Sequence, residues 1–103
     1  MAREKFQTLT EQMFYILLCL REECCGTDIM ARVSELTGGR VSVGPGTLYA
    51  MLAKFEEKEI IRLTSSEGRR KSYVITEPGR VELKKEFDRL NRMVQDGGFY
   101  FAG

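Results

Sequence analysis

The stretch Gly44-Pro45-Gly46 most constrains the fold, because it forces a tight connection between two segments whose apolar residues recur at helical spacing. The pattern before it recurs at helical spacing and comprises Ile29, Val33 and Leu36. Gly38-Gly39 is expected to end that helix, since glycine readily adopts the left-handed backbone of a helix C-cap. Pro45 suits the first turn of the next helix, whose apolar face comprises Leu48, Leu52 and Phe55. Two helices joined so closely are expected to lie side by side.

The chain also carries an apolar helical pattern near its start. This first helix is predicted from about Leu9 to Arg21, where MFYILLCL is apolar nearly all round and is therefore expected to be buried. Thr8 and Glu11 have the spacing of a capping box at its beginning. After a break, Thr27 or Asp28 is expected to cap the second helix.

Two segments rich in β-forming residues, 60–64 and 72–76, are separated by the polar stretch 65–68 and are predicted to form a hairpin. A fourth helix is expected after Thr76. Its apolar residues, spaced four, three and four apart, form the narrow seam of a helix that packs against another helix: Leu83, Phe87, Leu90 and Val94. The prediction is a mostly α-helical protein with a small β-hairpin, in which residues 1–76 form a winged helix-turn-helix domain, 77–96 a C-terminal dimerisation helix and 97–103 an aromatic tail.

The glycine-rich turn raises the question of a bound phosphate. Thr47 follows Gly46 directly, so the lysine of a nucleotide-binding P-loop is missing, and a helix rather than a strand precedes the glycines. The chain has no histidine, and no nucleophile–base pair or pair of carboxylates is apparent, so an enzyme is not expected. No cofactor or metal site is predicted either.

The distribution of charge favours the phosphates of DNA, bound for position. The net charge is only +1, yet no acidic residue lies between Glu35 and Glu56, a window that includes the turn and most of the third helix. The face of that helix opposite the apolar residues is small or cationic: Thr47, Ala50 and Lys54. Three cations, Arg69-Arg70-Lys71, occupy the hairpin tip, where a thin arm fits beside a DNA backbone. A solvated charged turn and a packed helix are the plainer alternative.

The stretches LTGGRVSVGPGTLYAMLAKFEEKEII and GRRKSYVITEPGR resemble those of PadR-type transcriptional regulators, and the resemblance covers most of the chain. It implies a homodimeric repressor that pairs through its last helix with help from the first. It further implies that the hydroxyls of Tyr49 and Tyr73 contact DNA phosphates, although both tyrosines could instead be half-buried packing residues. The candidate DNA-binding residues are Ser42, Thr47, Tyr49, Lys54, Arg69, Arg70, Lys71 and Tyr73.

Short members of the family include repressors that respond to phenolic acids or to lipophilic drugs and dyes, so a small apolar effector is expected between the first and fourth helices, near Met13, Leu90 and Met93. Multidrug-responsive relatives can use a tryptophan on the last helix as a stacking platform, and this chain has none. The aromatic segment 99–101 could act as a lid over an effector or pack on the partner subunit, and packing is favoured.

Two other classes of function stay open: a winged-helix protein–protein adaptor, and a redox or metal sensor acting through its thiols. The three cysteines, Cys19, Cys24 and Cys25, are expected to be reduced, because adjacent cysteines rarely pair with each other. With neither a signal peptide nor a membrane-spanning stretch, the protein is expected to be cytoplasmic.

Overall fold

A computed structural model of the chain describes residues 8–101. Within this range the chain forms four helices and a small three-stranded sheet, which confirms the predicted fold class. The elements in order are α1 (Glu11–Cys19), β1 (Cys24–Cys25), α2 (Gly26–Leu36), α3 (Pro45–Glu57), β2 (Ile61–Glu67), β3 (Arg70–Ile75) and α4 (Glu77–Phe101). Residues 1–7 of the predicted DNA-binding domain, and 102–103 of the predicted tail, lie outside the described range.

The cap of α1 lies two residues later than predicted. Thr10 is the N-cap: its Oγ1 accepts a hydrogen bond from the backbone N–H of Met13 at 3.1 Å, and its own N–H donates to Met13 Sδ at 3.5 Å. The expected pairing of Thr8 with Glu11 was therefore wrong. A thioether replaces the carboxylate of the usual capping box, so the spacing rule that assumes Glu or Gln could not find it.

The start of α2 also differs from its prediction, because a short strand precedes it. Cys24 and Cys25 pair antiparallel with Tyr73 and Ser72 of β3. This pairing holds the backbone extended up to Cys25, which becomes the N-cap although its side chain makes no capping hydrogen bond to the helix amides, and the helix begins at Gly26. Thr27 and Asp28 therefore lie within the first turn of α2 rather than capping it.

The apolar face of α3 is buried as predicted: Leu48, Leu52 and Phe55 are all in the core. On α2 the prediction holds for Ile29 and Val33 but not for Leu36, which is 57% exposed at the last residue of the helix. Gly38 and Gly39 have φ angles of 62° and 81°, so they end α2 in the left-handed conformation expected of them.

The sheet has the order β1-β3-β2, and both of its pairings are antiparallel. The hairpin is longer than predicted, because residues 65–67 belong to β2, opposite 70–72 of β3. Only Gly68 and Arg69 remain in the turn, where Gly68 has a φ of 60° that suits glycine. Cross-strand pairing thus overrides the polar composition on which the predicted loop was based.

Helix α4 begins after Thr76, as predicted. Thr76 Oγ1 accepts a hydrogen bond from the N–H of Gly79 at 3.1 Å and donates to the carbonyl of Glu59 at 2.7 Å. A side chain at Gly79 would collide with the carbonyl oxygen of Ile60, so glycine is required there. The helix then continues without a break to Phe101. The aromatic residues expected in a separate tail are therefore helical. Despite this length, no helix in the described range is apolar enough to cross a membrane.

Candidate nucleic-acid interface

The outer face of α3 is exposed and contains no acidic residue before Glu56. Thr47 and Lys54 lie on this face together with Ala50, and all three line a shallow groove whose other wall includes Met13 of α1. Lys54 makes no side-chain hydrogen bond or ion pair within residues 8–101. The opposite face of α3 is buried in the core. The outer face of the helix therefore consists of small side chains and the unpaired ammonium group of Lys54.

The N-terminus of α3 is also accessible. Gly44 is its N-cap and supplies no side chain to satisfy the first amides, while Pro45 occupies the first turn. Ser42 is exposed in the connection that leads into the helix, and its carbonyl accepts a hydrogen bond from Gln12 Nε2 of α1 at 3.0 Å. This contact ties the connection to α1. Free amides at the positive end of a helix dipole are suited to an anion such as a backbone phosphate.

The hairpin tip is basic and unpaired. Arg69, Arg70 and Lys71 are exposed, and in the part of the chain that the structure describes none of them forms a side-chain hydrogen bond or ion pair. Glu67 stands opposite Arg70 in the strand register, so one of the three cations has an acidic neighbour. The tip is the wing predicted from the sequence, and its charges remain available to a ligand.

Tyr49 connects the wing, α2 and α3. Its ring lies over Gly26, since a Cβ added there would be 2.9 Å from Tyr49 Oη and 3.0 Å from Cε1. The side chain is 46% exposed and lines a cleft with Thr27 of α2 and with the three wing cations. Tyr49 is therefore compatible with both interpretations from the sequence. One side of its ring packs on Gly26, as a half-buried residue does, and the rest of the side chain faces the cleft, where it is available to a phosphate. Nothing in the sequence pointed to Gly26 as its packing partner.

Tyr73 is buried in the core and is therefore not available to contact DNA. It is only 6% exposed and belongs to the hydrophobic core, on the central strand between β1 and β2. Burial, together with the nearby Glu56 and Tyr49, raises the pKa of its hydroxyl. The packing interpretation applies here, because β1, which was not predicted, covers the edge of β3 next to this residue.

The three thiols are buried as well, which weakens the sensor interpretation. Burial raises the pKa values of Cys19 and Cys24, so the reactive thiolate is disfavoured at both. Among residues 8–101, no group of three or more potential metal ligands comes together.

The predicted dimerisation seam divides into a buried and an exposed part. Leu83 is 7% exposed and packs in the core of its own chain, so it has the internal partner that the sequence did not reveal. Leu90 is half-buried, whereas Phe87 and Val94 are exposed.

A groove between α1 and α4 corresponds to the expected location of an effector, but the predicted residues do not line it. Its apolar walls are formed by Phe14, Leu18, Leu83 and Phe87, and its rim by Arg21, Arg80 and Lys84. Met13 instead packs in the core beside α3, and Met93 lies on the exposed part of α4, where its Sδ accepts a hydrogen bond from Arg89 at 3.2 Å.

Several known proteins are similar to this chain. An uncharacterised 37.1 kDa protein in transposon TN4556 of Streptomyces fradiae is 34% identical over 68 residues, which are 66% of this chain and 19% of that protein. Transcriptional regulator YqjI of Escherichia coli (strain K12) is 27% identical over 89 residues, which are 85% of this chain and 43% of that regulator. The chain thus spans less than half the length of either relative. A transcriptional regulator from Clostridium thermocellum, Cth-833, has the same fold, with a TM-score of 0.74 at 20% identity over 87% of this chain and 91% of that one.

The family comparison matches more than half of the chain. The Transcriptional regulator PadR-like family corresponds to residues 16–85, a range that begins within α1, ends within α4 and includes α3 and the whole wing. The exposed face of α3 and the unpaired wing cations therefore both lie in the matched segment. The chain belongs to the PadR-like family of transcriptional regulators.

Proposed function

We propose that the protein is a sequence-specific DNA-binding repressor that acts as a homodimer. The observation that carries the proposal is the cleft in which the three unpaired wing cations stand beside Tyr49 of α3 and the start of α2. A phosphate of the DNA backbone placed there would meet cations and a hydroxyl at once. The acid-free outer face of α3 would then lie against base edges, with Thr47 and Lys54 reading the major groove.

The homodimer part of the proposal rests on α4. Its exposed apolar residues have no cover within the described part of one chain, and a second copy would bury them. Two α3 helices related by a two-fold axis would contact half-sites about one DNA turn apart, roughly 34 Å, so the operator is expected to be palindromic. Repression follows when the occupied operator overlaps a promoter.

We further propose that an aromatic acid is the effector. The groove between α1 and α4 has aromatic and aliphatic walls, and its rim has the two arginines Arg21 and Arg80 together with Lys84, which forms an ion pair with Asp88. A flat apolar body with one carboxylate matches this arrangement better than a lipophilic cation does, because like charges repel. Such a ligand releases DNA only if it binds the DNA-free geometry of the subunits more tightly than the DNA-bound one.

Selection of bound fragments from random DNA, followed by fluorescence anisotropy on the selected and a scrambled duplex, tests DNA binding. The expected result is a palindromic consensus and an affinity that falls steeply with salt. Absence of salt-dependent binding to either duplex would exclude the repressor and leave the protein–protein adaptor. For the effector, phenolic acids should raise the melting temperature and lower operator affinity; stabilisation without loss of DNA affinity would contradict an inducer role.

A further inference from the structure

The shallow groove between α1 and α3 is large enough to hold a small molecule. Its volume is about 460 Å³, within the range of roughly 300–1,000 Å³ that is typical of ligand sites. Met51 of α3 and Met13 of α1 form its apolar walls, and Phe55, which is fully buried, lies at its base. Phe14 and Leu18 of α1 line the groove beside α4 instead. The two grooves therefore use different faces of α1 and are separate sites.

DNA does not account for the apolar lining of the groove between α1 and α3. Phosphates are charged, and the edges of bases in the major groove are polar except for the methyl group of thymine. The side chains on the outer face of α3 are sufficient for contacts of that kind. Methionine is flexible and polarizable, so a groove walled by Met13 and Met51 is suited to an apolar body much larger than a methyl group.

The charge at one end of the groove indicates what else such a ligand carries. Lys54, in the last turn of α3, is the only charged residue among the described residues that line the groove, and its ammonium group is unpaired within residues 8–101. Thr47, in the first turn of the same helix, also lines the groove. The two positions are about 10.5 Å apart along the helix axis, at 1.5 Å per residue. An extended apolar chain with one negative charge at its end matches this arrangement.

We propose that the groove between α1 and α3 binds a medium-chain fatty acid. The carboxylate pairs with the ammonium group of Lys54, and the acyl chain lies along α3 toward Thr47, against Met13 and Met51. A linear chain fits better than a flat ring, because the described lining offers no exposed aromatic side chain on which a ring would stack. This ligand thus differs in shape from the aromatic acid proposed for the groove beside α4.

A fatty acid in this groove excludes DNA directly. Thr47, Ala50 and Lys54 line the groove and also form the outer face of α3 that is proposed above to read the major groove. The carboxylate takes the cation of Lys54 away from DNA, and the chain fills the space beside α3. No change in the angle between helices or subunits is needed. This regulatory consequence rests on the proposed DNA binding, whereas the binding of the fatty acid itself does not.

NMR titration of the protein alone with decanoate tests the site in the absence of DNA. With labelled methionine methyl groups, and decanoate kept below the concentration at which it forms micelles, the resonances of Met13 and Met51 should shift. Those of Met30 on α2 and Met93 on α4 should not, which makes them internal controls. Octanoate should bind up to about 15-fold more weakly, because it buries two fewer methylene groups. Saturable shifts confined to Met93 would overturn the proposal.

Removing the charge of Lys54 tests the carboxylate contact. Lys54→Met retains an apolar side chain, so it should weaken decanoate by about fivefold, the upper end for an exposed ion pair. It should leave the binding of 1-decanol, which has no charge, unchanged. Lys85→Met removes an exposed cation from α4 and is the matched control, for which both ligands should bind as they do to the wild type. A Lys54→Met variant that binds decanoate as tightly as the wild type would overturn the proposal.

Filling the groove tests the path of the acyl chain and its other possible occupants. Thr47→Phe adds a ring at an exposed position of the groove and should abolish the methionine shifts, while a thermal melt confirms that the variant is folded. A folded variant that still binds decanoate would overturn the proposal. Binding that appears only in Phe6→Ala would assign the groove to the chain's own first residues, and binding that weakens as protein concentration rises would assign it to a second copy; either result would overturn the proposal as well.

Fluorescence anisotropy with labelled operator distinguishes direct exclusion from an effector that acts through a change of geometry. With direct exclusion, the apparent dissociation constant for DNA should rise in proportion to decanoate concentration without a plateau. An allosteric effector raises it only to a limit, typically about 5–150-fold. A plateau, or an unchanged DNA affinity while the methionine shifts saturate, would overturn exclusion. A protein that binds decanoate at Met13 and Met51 but binds no DNA would refute the proposed repressor and support the fatty-acid site.

Discussion

Removing two wing cations should reduce the salt dependence of DNA binding by a predictable amount. Arg69 lies in the turn of the hairpin and Lys71 is opposite Ser66, so neither has an acidic residue as its cross-strand neighbour. Arg70, by contrast, is opposite Glu67 and is left in place. If Arg69 and Lys71 each neutralise one phosphate, Arg69→Ala/Lys71→Ala should lower the slope of log K against log salt by about 1.8, at about 0.9 per contact.

This change in slope corresponds to a measurable change in affinity. Between 50 and 200 mM salt, a slope difference of about 1.8 changes the ratio of wild-type to variant affinity by about twelvefold. Fluorescence anisotropy should show this change on the operator and on a scrambled duplex alike, because phosphate contacts carry little sequence information.

A control variant that also loses two cations distinguishes direct phosphate contacts from the general attraction of positive charge to DNA. Lys85→Ala/Arg92→Ala also removes two cations, from the exposed outer face of α4 and far from the wing in sequence. Its slope should remain close to that of the wild type. A wing variant that keeps the wild-type slope, or a control that loses as much slope as the wing variant, would refute the assignment of Arg69 and Lys71 as phosphate contacts.

Three further predictions concern the dimer, the Tyr49 contact and the anchoring of α4. Leu90→Asp should give monomers or aggregates in ultracentrifugation; a stable dimer at micromolar concentration would contradict the role of the α4 seam. Gly26→Ala should weaken operator binding by about tenfold, because it displaces the Tyr49 ring and removes the hydrogen bond of its hydroxyl to a phosphate, which is worth roughly 1.5–3 kcal/mol, and it should have no further effect once Tyr49 is alanine. Glu86→Gln should lower the free energy of unfolding by about 1–2 kcal/mol at neutral pH, and its stability should fall less steeply than that of wild type as the solution becomes acidic.

The direction in which acid changes the stability of the protein follows from the contacts of Glu86. Hydrogen bonds from Arg89 at 2.6 and 2.9 Å, and from the backbone N–H of Leu9 at 3.3 Å, lower the pKa of this buried carboxyl against the opposing effect of burial. A carboxyl with a lowered pKa in the folded state stabilises the protein above its unfolded pKa, near 4.5, and loses that contribution as pH falls through the folded pKa. Thermal melts of wild type and Glu86→Gln between pH 3 and 7 measure the difference.

Spacing along the chain was sufficient to predict the elements that rest on local patterns. The apolar face of α3, the glycines after α2 and the start of α4 after Thr76 all appear where the sequence places them. The exposed outer face of α3 and the basic tip of the wing follow from the same periodicity, because burial of one face leaves the other in solvent.

Apart from the cap of α1 and the exposure of Leu36, which have local causes, the predictions that failed depend on partners distant in the sequence. Cys24 and Cys25 form a strand only because β3 lies beside them, and this pairing moved the cap of α2 and buried Tyr73. The contact between Tyr49 and Gly26 likewise joins two helices, so neither residue's own neighbourhood indicated it. Leu83 belongs to a helical seam by spacing, yet its burial depends on where α1 packs, and spacing carries no information about that.

Helix α1 joins the part of α4 that is buried to the connection that leads into α3. The residue just before its cap, Leu9, donates its backbone N–H to Glu86 of α4, while Gln12 donates to the carbonyl of Ser42 at 3.0 Å and Tyr15 Oη accepts a hydrogen bond from Arg40 Nη2 at 3.0 Å. A change in the angle between α1 and α4 therefore acts on the connection that orients α3. Because the groove between α1 and α4 is bounded by the same two helices, a ligand that fills it changes that angle directly. The proposed effector would thus act on α3 through α1.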